Sequence, residues 1–335
     1  MSGERRNVPA VVETVTPVKA PALRSKLAVP VVIADAGDHA ARRFLEFFAA
    51  TIRNKNTRMA YYRAACHFFA WVEQHRIGEL ADIEPIHIAA YIEALQATNA
   101  KPTVKQHLAA IRMLFDWLVV GQILATNPAH AVRGPKHVVK RGKTPVLTEE
   151  EARRLLDSID TSTLVGMRDR ALIGVMTFAF ARIGAVVGMR VEDYYPAGKR
   201  WWVRLHEKGG KRHEMPAHHK LEAYIDEYLA AAGIREDGKT PLFRSAIGRT
   251  GVLTATPMNR VDAYRMIRRR TDEAGFKNRI GCHAFRATGI TAYLQAGGSL
   301  ENAQAMAAHE SPRTTKLYDR TGDEITLDEV ERITI

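Results

Sequence analysis

The feature that most constrains the fold is the repeat of apolar side chains between Ala40 and Val132. These side chains recur every three or four residues, which is the spacing of one face of an α-helix. Successive stripes consist of Phe44, Phe47 and Phe48, then Tyr61, Tyr62, Ala65, Phe68, Phe69 and Val72, then Ile88, Tyr91, Ile92 and Leu95, and finally Leu108, Ile111, Leu114, Phe115 and Leu118. The region has no alternating stretch typical of a β-strand. The pattern therefore predicts a bundle of four or five α-helices.

A break and a basic segment follow this helical region. Asn127-Pro128 and Gly134-Pro135 are dipeptides that interrupt regular structure. Residues 133–143 contain five lysines or arginines and no acid, among them Lys140 and Arg141. Such a segment is either a solvated linker or a linker that lies against phosphate groups, and what flanks it slightly favours the second interpretation.

The sequence after the linker has a mixed pattern. Thr148 and Glu151 have the spacing of a capping box, which marks the start of a helix, and residues 169–189 form an apolar helical segment. Residues 201–205 alternate like a strand, and residues 212–216 can pair with them across Gly209-Gly210. Further helices are predicted at residues 221–232, 261–274, 283–295 and 302–307.

Together these patterns predict a mainly α chain with two domains. The predicted segments are an N-terminal arm at residues 1–35, a helical bundle at 36–132, a basic linker at 133–144, a mixed α+β domain with a small β-hairpin or sheet at 145–320, and a C-terminal tail at 321–335. The arm is rich in Pro, Val, Ala and charge without a helical period, so we expect it to be flexible.

Charge and cysteine content narrow the class of partner and the compartment. Lysine and arginine total 49 against 37 aspartates and glutamates, a surplus of +12. Such a surplus favours a polyanionic partner, usually nucleic acid, over a basic enzyme that binds none. No run of eighteen apolar residues and no apolar signal core is present, so we expect neither a transmembrane helix nor secretion. The two cysteines, Cys66 and Cys282, form no disulfide framework, which fits a reducing cytoplasm.

Six side chains spread between positions 182 and 318 could together act on a phosphodiester. They are Arg182, Lys208, His283, Arg286, His309 and Tyr318. Two guanidiniums can clamp both non-bridging phosphate oxygens with fixed geometry and no proton to lose. A tyrosine phenol becomes a nucleophile once its proton is removed or the local potential turns positive. Each residue alone is more often structural than catalytic, so the argument depends on their order and context.

The sequences around these residues resemble those of the tyrosine recombinase family, also called phage-type integrases. The resembling segments are Phe-Ala-Phe-Ala-Arg-Ile-Gly at Arg182, Lys-Gly-Gly-Lys at Lys208, His-Ala-Phe-Arg at His283 to Arg286, and the nine-position spacing from His309 to Tyr318. The resemblance extends from near Phe44 to the C-terminus. No single motif is specific, but together and in this order they are.

The resemblance implies a role for each of the six residues. Tyr318 would attack the phosphodiester and become joined to a DNA 3′-phosphate, while Lys208 would protonate the leaving 5′-oxygen. Lys211 lies in the same turn and is the competing candidate for the general acid. The two arginines would clamp the scissile phosphate, His309 would donate to it, and His283 would act as a general base or a hydrogen-bond donor.

Three positions depart from the family pattern. The family commonly has an acidic residue three positions after the first arginine, where this chain has Ala185. Ala308 replaces a common glycine before His309, and Cys282 is a less common residue before the first histidine. None of these changes removes a catalytic group, but the first predicts that Arg182 is held by a different partner.

Helix starts in the first domain carry polar and basic residues that could contact DNA. Lys55, Thr57 and Arg58 open one predicted helix, and Thr103 and Lys105 open another. Free backbone amides at a helix N-terminus favour phosphate, and both segments resemble DNA-facing helices of the family's core-binding domain. The alternative is two ordinary capped helices with solvated first turns.

A predicted helix of the second domain carries Arg265 and Arg268, and it could enter a major groove. The indication is weaker than for the first domain.

The resemblance implies a site-specific DNA recombinase that acts without a metal, through a phosphotyrosine and a Holliday junction, in integration, excision or resolution. The two domains would close around double-stranded DNA, and a homotetramer would exchange the strands. A type IB topoisomerase is one alternative, against which the helical N-terminal domain and the short chain argue. A non-catalytic DNA-binding regulator is another, against which the complete catalytic set argues.

No cofactor, metal or membrane partner is expected. The adjacent His218 and His219 lack the geometry of an i, i+4 ligand pair, and no Walker-type phosphate loop is present. In the tail, Leu327 and Val330 fall on one face of a short helix, which in the family docks on the neighbouring protomer. Docking on its own domain, or fraying, is the alternative.

Overall fold

The computed structural model describes residues 28–139, 142–207, 210–248 and 250–319. Contacts divide the chain into two units between Val138 and Val139. The predicted fold class, mainly helical with small antiparallel sheets in the second unit, is confirmed. Within these ranges, none of the helices has the length and apolar character needed to cross a bilayer.

The first unit is a helical bundle. Its helices are α1 (Val31–Asp35), α2 (Asp38–Glu46), α3 (Lys55–Gln74), α4 (Pro85–Thr98) and α5 (Lys101–Val120), with a π-helical turn at Phe47–Thr51 and a 3₁₀ turn at Leu80–Asp82. The core contains a cluster of aromatic rings, in which Phe44 and Phe48 meet edge to face at 5.1 Å between centroids. The side chain of Asn54 caps α3 by accepting from the backbone N–H groups of Asn56 and Thr57.

Five residues that the sequence places in a flexible arm are helical instead. α1 lies inside the predicted 1–35 arm, and its Val32 and Ile33 are buried in the core of the bundle. Two buried aliphatic side chains offset the entropy of ordering so short a segment. The segment is too short to show a helical period, which is why the sequence pattern missed it.

The second unit combines helices with two small sheets. Its elements are α6 (Glu149–Asp157), α7 (Leu164–Phe178), α8 (Ile183–Val186), β1 (Tyr194–Ala197), β2 (Arg200–His206), β3 (Arg212–Pro216), α9 (His219–Ala232), β4 (Arg244–Ala246), β5 (Leu253–Pro257), α10 (Arg260–Glu273), α11 (Cys282–Gln295), α12 (Leu300–Met306) and α13 (Pro312–Lys316). The strands β1, β2 and β3 form one antiparallel sheet in that order, and β4 pairs with β5.

Two predictions for this unit are confirmed at the level of individual contacts. Thr148 and Glu151 form the capping box of α6, in which each side chain accepts from the other residue's backbone N–H. β2 and β3 form the predicted hairpin, with Leu205 opposite His213. The strand β1 and the β4–β5 pair had no clear sequence signal because they are short and only partly alternating.

The apolar segment 169–189 is not one continuous helix as predicted. α7 ends at Phe178, Phe180 has a positive φ of 48°, and a new short helix begins after Arg182. The break coincides with close packing of α11: a Cβ on Gly289 would lie 1.9 Å from the carbonyl oxygen of Thr177. As a result Arg182 occupies the N-cap position of α8 instead of the middle of a helix.

Candidate active site

The structure brings five of the six predicted catalytic residues to one region of the second unit. Arg182 comes from the break between α7 and α8, His283 and Arg286 from the first turns of α11, His309 from the loop between α12 and α13, and Tyr318 from the residues after α13. His283 and Arg286 are three residues apart and so share a face of their helix. The sixth residue, Lys208, lies outside the described residues.

Tyr318 and His283 form the centre of the site. The Tyr318 hydroxyl lies 2.6 Å from Nε2 of His283, and the phenol ring is buried. Burial raises the pKa of Tyr318 above its usual value, and the positive charges of Arg286 and Arg182 offset this only in part. The positive charges alone leave the phenol protonated at neutral pH, because desolvation outweighs them. The phenol needs a base.

His283 is in the protonation state that a base requires. Burial lowers its pKa below 6.5, and the charges of Arg286 and Arg182 lower it further. The imidazole is thus neutral at pH 7, and its Nε2 can accept the proton of Tyr318.

Arg286 is a fully buried cation held by backbone carbonyls. Its guanidinium donates to the carbonyl oxygens of Phe180 and, at 2.5 Å, Ala307. Burial, followed by the charge of Arg182, lowers the pKa of Arg286 to about 10, so the side chain remains charged at neutral pH. Its Nε has no hydrogen-bond partner among the described residues. The two carbonyls hold the guanidinium in place, and its remaining N–H donors are left for a ligand.

Arg182 pairs with a residue that sequence reasoning missed. Its Nη1 lies 2.5 Å from Oε2 of Glu207, whose other oxygen lies 3.9 Å from Nη1 of Arg286. Glu207 is therefore the different partner of Arg182 that the alanine at position 185 predicted. The available signal was an acidic residue next to the Lys-Gly-Gly turn, but nothing in the sequence tied it to an arginine 25 positions earlier.

His309 is positioned by a strained backbone and a buried hydroxyl. The residue before it, Ala308, has a φ of 46°, a conformation that costs a residue with a Cβ roughly 1–2 kcal/mol and suits glycine better. Nδ1 of His309 lies 2.9 Å from the hydroxyl of Thr315, and its ring stacks on that of Tyr318 with 5.7 Å between centroids. Burial, followed by the charges of Arg286 and Arg182, lowers the pKa of His309 to about 3, so the ring is neutral.

A cavity of about 390 Å³ opens beside Arg182 and His309. It is lined by Arg182, Glu207, Lys211, Ala308, His309, Glu310 and Thr314. Nζ of Lys211 lies 3.1 Å from a carboxylate oxygen of Glu310, and both side chains are largely exposed. The charged residues of the lining form two ion pairs, Arg182 with Glu207 and Lys211 with Glu310, and the neutral His309 lies beside them.

The residues of the first unit that are predicted to contact DNA differ in their exposure and in their own hydrogen bonds. Lys55 and Lys105 are exposed, while Thr57 and Thr103 are half-buried. Nε and Nη2 of Arg58 both donate to the carbonyl oxygen of Ile52, at 3.0 and 2.9 Å, so this guanidinium stabilises its own turn.

The proposed contacts of the second unit differ in the same way. Arg265 is exposed with only a loose pairing to Asp262 at 3.6 Å, whereas Arg268 is paired with Asp272 at 3.1 Å. Lys140 and Arg141 lie outside the described residues.

Models of known protein families match both units. The model of the phage integrase family matches residues 145–324, and the model of the phage integrase N-terminal SAM-like domain matches residues 41–123. A tyrosine recombinase of Pseudothermotoga lettingae is 26% identical over 287 residues, which are 83% of this chain and 92% of that protein. The tyrosine recombinase XerC of Escherichia coli O127:H6 is 30% identical over 218 residues, which are 63% of this chain and 67% of that protein.

Solved structures share the fold at low sequence identity. A post-cleavage complex of the XerH site-specific recombinase with a palindromic difH substrate has a TM-score of 0.66 at 17% identity, over 91% of this chain and 89% of that one. A lambda integrase tetramer bound to a Holliday junction has a TM-score of 0.67 at 17% identity, over 85% of this chain and 79% of that one.

Proposed function

The chain belongs to the phage integrase family of tyrosine recombinases and is a site-specific DNA recombinase; from this premise we propose which of its residues carry the reaction. Tyr318 is the nucleophile, His283 its general base, Arg182 and Arg286 the phosphate clamp, His309 a donor to the phosphate and Lys208 the general acid. The observation that carries this assignment is the 2.6 Å contact between the Tyr318 hydroxyl and a neutral His283, beside two arginines.

The proposed reaction is a transesterification with no net change in bond number. The phenolic oxygen of Tyr318 attacks phosphorus as its proton passes to Nε2 of His283. The bond between phosphorus and the 5′-oxygen breaks, and Lys208 protonates that oxygen. The arginines and a proton on Nε2 of His309 stabilise the charge that grows on the non-bridging oxygens. A 5′-hydroxyl from a second strand then attacks the phosphotyrosine and reverses these steps.

We also propose how the protein acts on DNA. Duplex DNA with a specific site is held through exposed basic residues such as Lys55, Lys105 and Arg265, supported by their exposure and by the excess positive charge of the chain. Four copies act together through a Holliday junction, as the lambda integrase structure suggests for its own chain. The setting is the cytoplasm and the substrate a mobile element. No observation favours a topoisomerase or a non-catalytic regulator.

The test is to trap the covalent intermediate. The full-length protein is incubated with sheared genomic DNA of its source, the reaction is stopped with denaturant, and protein-linked DNA is isolated and sequenced to map the site. We expect an adduct at one sequence with the native chain and none with Tyr318→Phe, although this variant should still bind the site because phosphate contacts hold the complex. Tyr293→Phe, a change of a tyrosine in α11 outside the site, is the control and should form the adduct. Adduct formation by Tyr318→Phe would refute the assignment.

A further inference from the structure

A buried carboxylate lies between the two arginines of the active site. Oε2 of Glu207 is 2.5 Å from Nη1 of Arg182, and Oε1 is 3.9 Å from Nη1 of Arg286. One glutamate thus contacts both guanidiniums with different oxygens, and it links the α7–α8 break to the buried face of α11.

The side chains of Glu207 and Arg182 differ in exposure. The Glu207 side chain is 3% exposed, whereas that of Arg182 is 34% exposed. Both residues line the cavity, but the carboxylate of Glu207 is almost fully covered and the guanidinium of Arg182 is the more exposed of the two. Its carboxylate is placed to hold the two arginines through its contacts with both.

The backbone of the same residue closes the β2–β3 turn. The N–H of Glu207 donates to the carbonyl oxygen of Lys211 at 2.8 Å, and its carbonyl accepts from the N–H of Gly210 at 3.2 Å. Gly210 has a φ of 80°, which a residue with a side chain rarely adopts. Glu207 therefore connects the two arginines, through its side chain, to the β2–β3 turn, through its backbone. Lys208 is the next residue in the sequence.

Two guanidiniums close together repel each other, and a carboxylate between them removes much of that cost. The charge of Arg182 lowers the pKa of Arg286, and the charge of Glu207 acts in the opposite direction. Position 185 cannot supply the counter-charge, because an alanine stands there.

We propose that Glu207 is the positioning residue of this active site: it holds Arg182 and Arg286 at the spacing needed to grip the two non-bridging oxygens of the scissile phosphate. The inference rests on the roles proposed above for the two arginines. In this role Glu207 replaces the acidic residue that the family commonly has three positions after the first arginine, where this chain has Ala185.

A positioning role for Glu207 and simple electrostatics predict opposite changes in the cleavage rate when its negative charge is removed. Removing a negative charge beside the phosphate would, by charge alone, strengthen phosphate binding and speed cleavage. If Glu207 positions the arginines, removing it slows cleavage, since a misplaced clamp stabilises the transition state poorly. Glu207→Gln separates the two effects because it deletes the charge and keeps the shape.

The experiment uses the full-length chain and a nicked duplex that carries the site mapped by covalent trapping, so that each cleavage is irreversible. The cleavage rate constant is measured at saturating protein, and the Kd for intact DNA is measured in a Tyr318→Phe background. For Glu207→Gln we expect the rate to fall about tenfold to a hundredfold, and the Kd to stay within about threefold because most phosphate contacts lie elsewhere. Glu207→Asp keeps the charge on a shorter side chain and should give an intermediate rate.

Glu214→Gln is the matched control, since it removes a carboxylate from the same hairpin at an exposed position paired with Arg204 and Arg212. It should cleave at the native rate.

A Glu207→Gln variant that cleaves at the native rate or faster overturns the proposal, as does an equal loss of rate and affinity. If thermal unfolding shows that Glu207→Gln does not fold, Glu207→Asp decides: a native rate overturns the proposal, and a slower rate with native affinity supports it. Failure of the native chain to form any adduct would instead refute the proposed function.

Discussion

Burial sets the protonation of the side chains that surround Tyr318. It raises the pKa of the phenol, lowers that of His283 and lowers that of His309 to about 3. In each case desolvation favours the neutral form. Burial also lowers the pKa of Arg286, but only to about 10, so this guanidinium stays charged at neutral pH. The proposed reaction therefore starts from a neutral nucleophile and neutral histidines, with the guanidiniums of Arg182 and Arg286 as the positive charges beside Tyr318.

The lowered pKa of His283 predicts the acid limit of cleavage. His283 must be neutral to accept a proton, and its folded-state pKa lies below 6.5. The midpoint of the acid limb should therefore lie below pH 6.5, and most of the activity should be present at pH 7. The measurement is the second-order rate constant for cleavage at DNA concentrations far below saturation, which reports the free enzyme. An acid limb with its midpoint at or above pH 7 would contradict the assignment of His283 as the base.

Loss of either arginine should slow cleavage but have different effects on stability. Arg182→Ala and Arg286→Ala should each reduce the single-turnover rate by roughly a hundredfold or more, the scale for losing one charge-stabilising donor. Arg286→Ala should also lower the thermal midpoint, because the carbonyls of Phe180 and Ala307 lose their donors, at roughly 1–3 kcal/mol for each buried group. Arg182→Ala acts on the midpoint in another way, since it leaves the buried carboxylate of Glu207 without its 2.5 Å partner and so lowers stability through an unpaired buried charge. Both assays are run in excess EDTA, and cleavage by the native chain that depends on a divalent ion would refute a clamp made of arginines.

At the residue scale, the sequence predicted which side chains meet but not how they are held. The order and context of Arg182, His283 and Arg286 indicated one site, and the structure places them together. Glu207 could not be recognised, since its contact with Arg286 exists only in the folded chain. The strain at Ala308 was equally hidden, because an alanine in a sequence does not reveal a positive φ.

At the element scale, the helices that carry a long apolar period were predictable and the interruptions that shape the site were not. The apolar residues before Arg182 are compatible with a continuing helix. The chain breaks there because α11 packs closely at Gly289 and because the Phe180 carbonyl accepts from Arg286. These are tertiary contacts, and they override local helix propensity. The N-cap position of Arg182 is a product of the fold.

Lys208 and Lys211 are the two candidates for the general acid, and measurements of cleavage can distinguish them. Lys208→Ala should slow cleavage more than Lys211→Ala, because Lys211 is engaged with Glu310 at the cavity edge. A substrate with sulfur in place of the 5′-oxygen provides the decisive control, since a thiolate leaves without a proton. Cleavage of this substrate should be restored to near the native rate in the Lys208 variant. If restoration occurs only in the Lys211 variant, Lys211 is the general acid.

At the scale of the whole molecule, the residues proposed to cut one strand all belong to one chain, while the proposed strand exchange needs several copies at once. Residues 320–335 lie outside the described residues, so their role is argued from sequence. Leu327, Val330 and Ile333 recur at helical spacing, opposite acidic residues. A helix so short is marginal alone and needs a surface to dock on. We propose that the surface belongs to a neighbouring copy, in a head-to-tail arrangement that closes into a ring.

Removing residues 323–335 should then leave binding to a single site nearly intact while abolishing synapsis of two sites and recombination. Binding is followed by gel shift, synapsis by the two-site complex, and recombination by the exchanged product. The point variant Leu327→Asp should reproduce the truncation, because a charge on the apolar face prevents docking. Asp328→Asn, on the opposite face, is the control and should recombine normally. Docking of the tail on its own domain predicts a different pattern, in which single-site binding or stability falls together with recombination. A truncated protein that recombines two sites at the full-length rate would show that assembly depends on other surfaces.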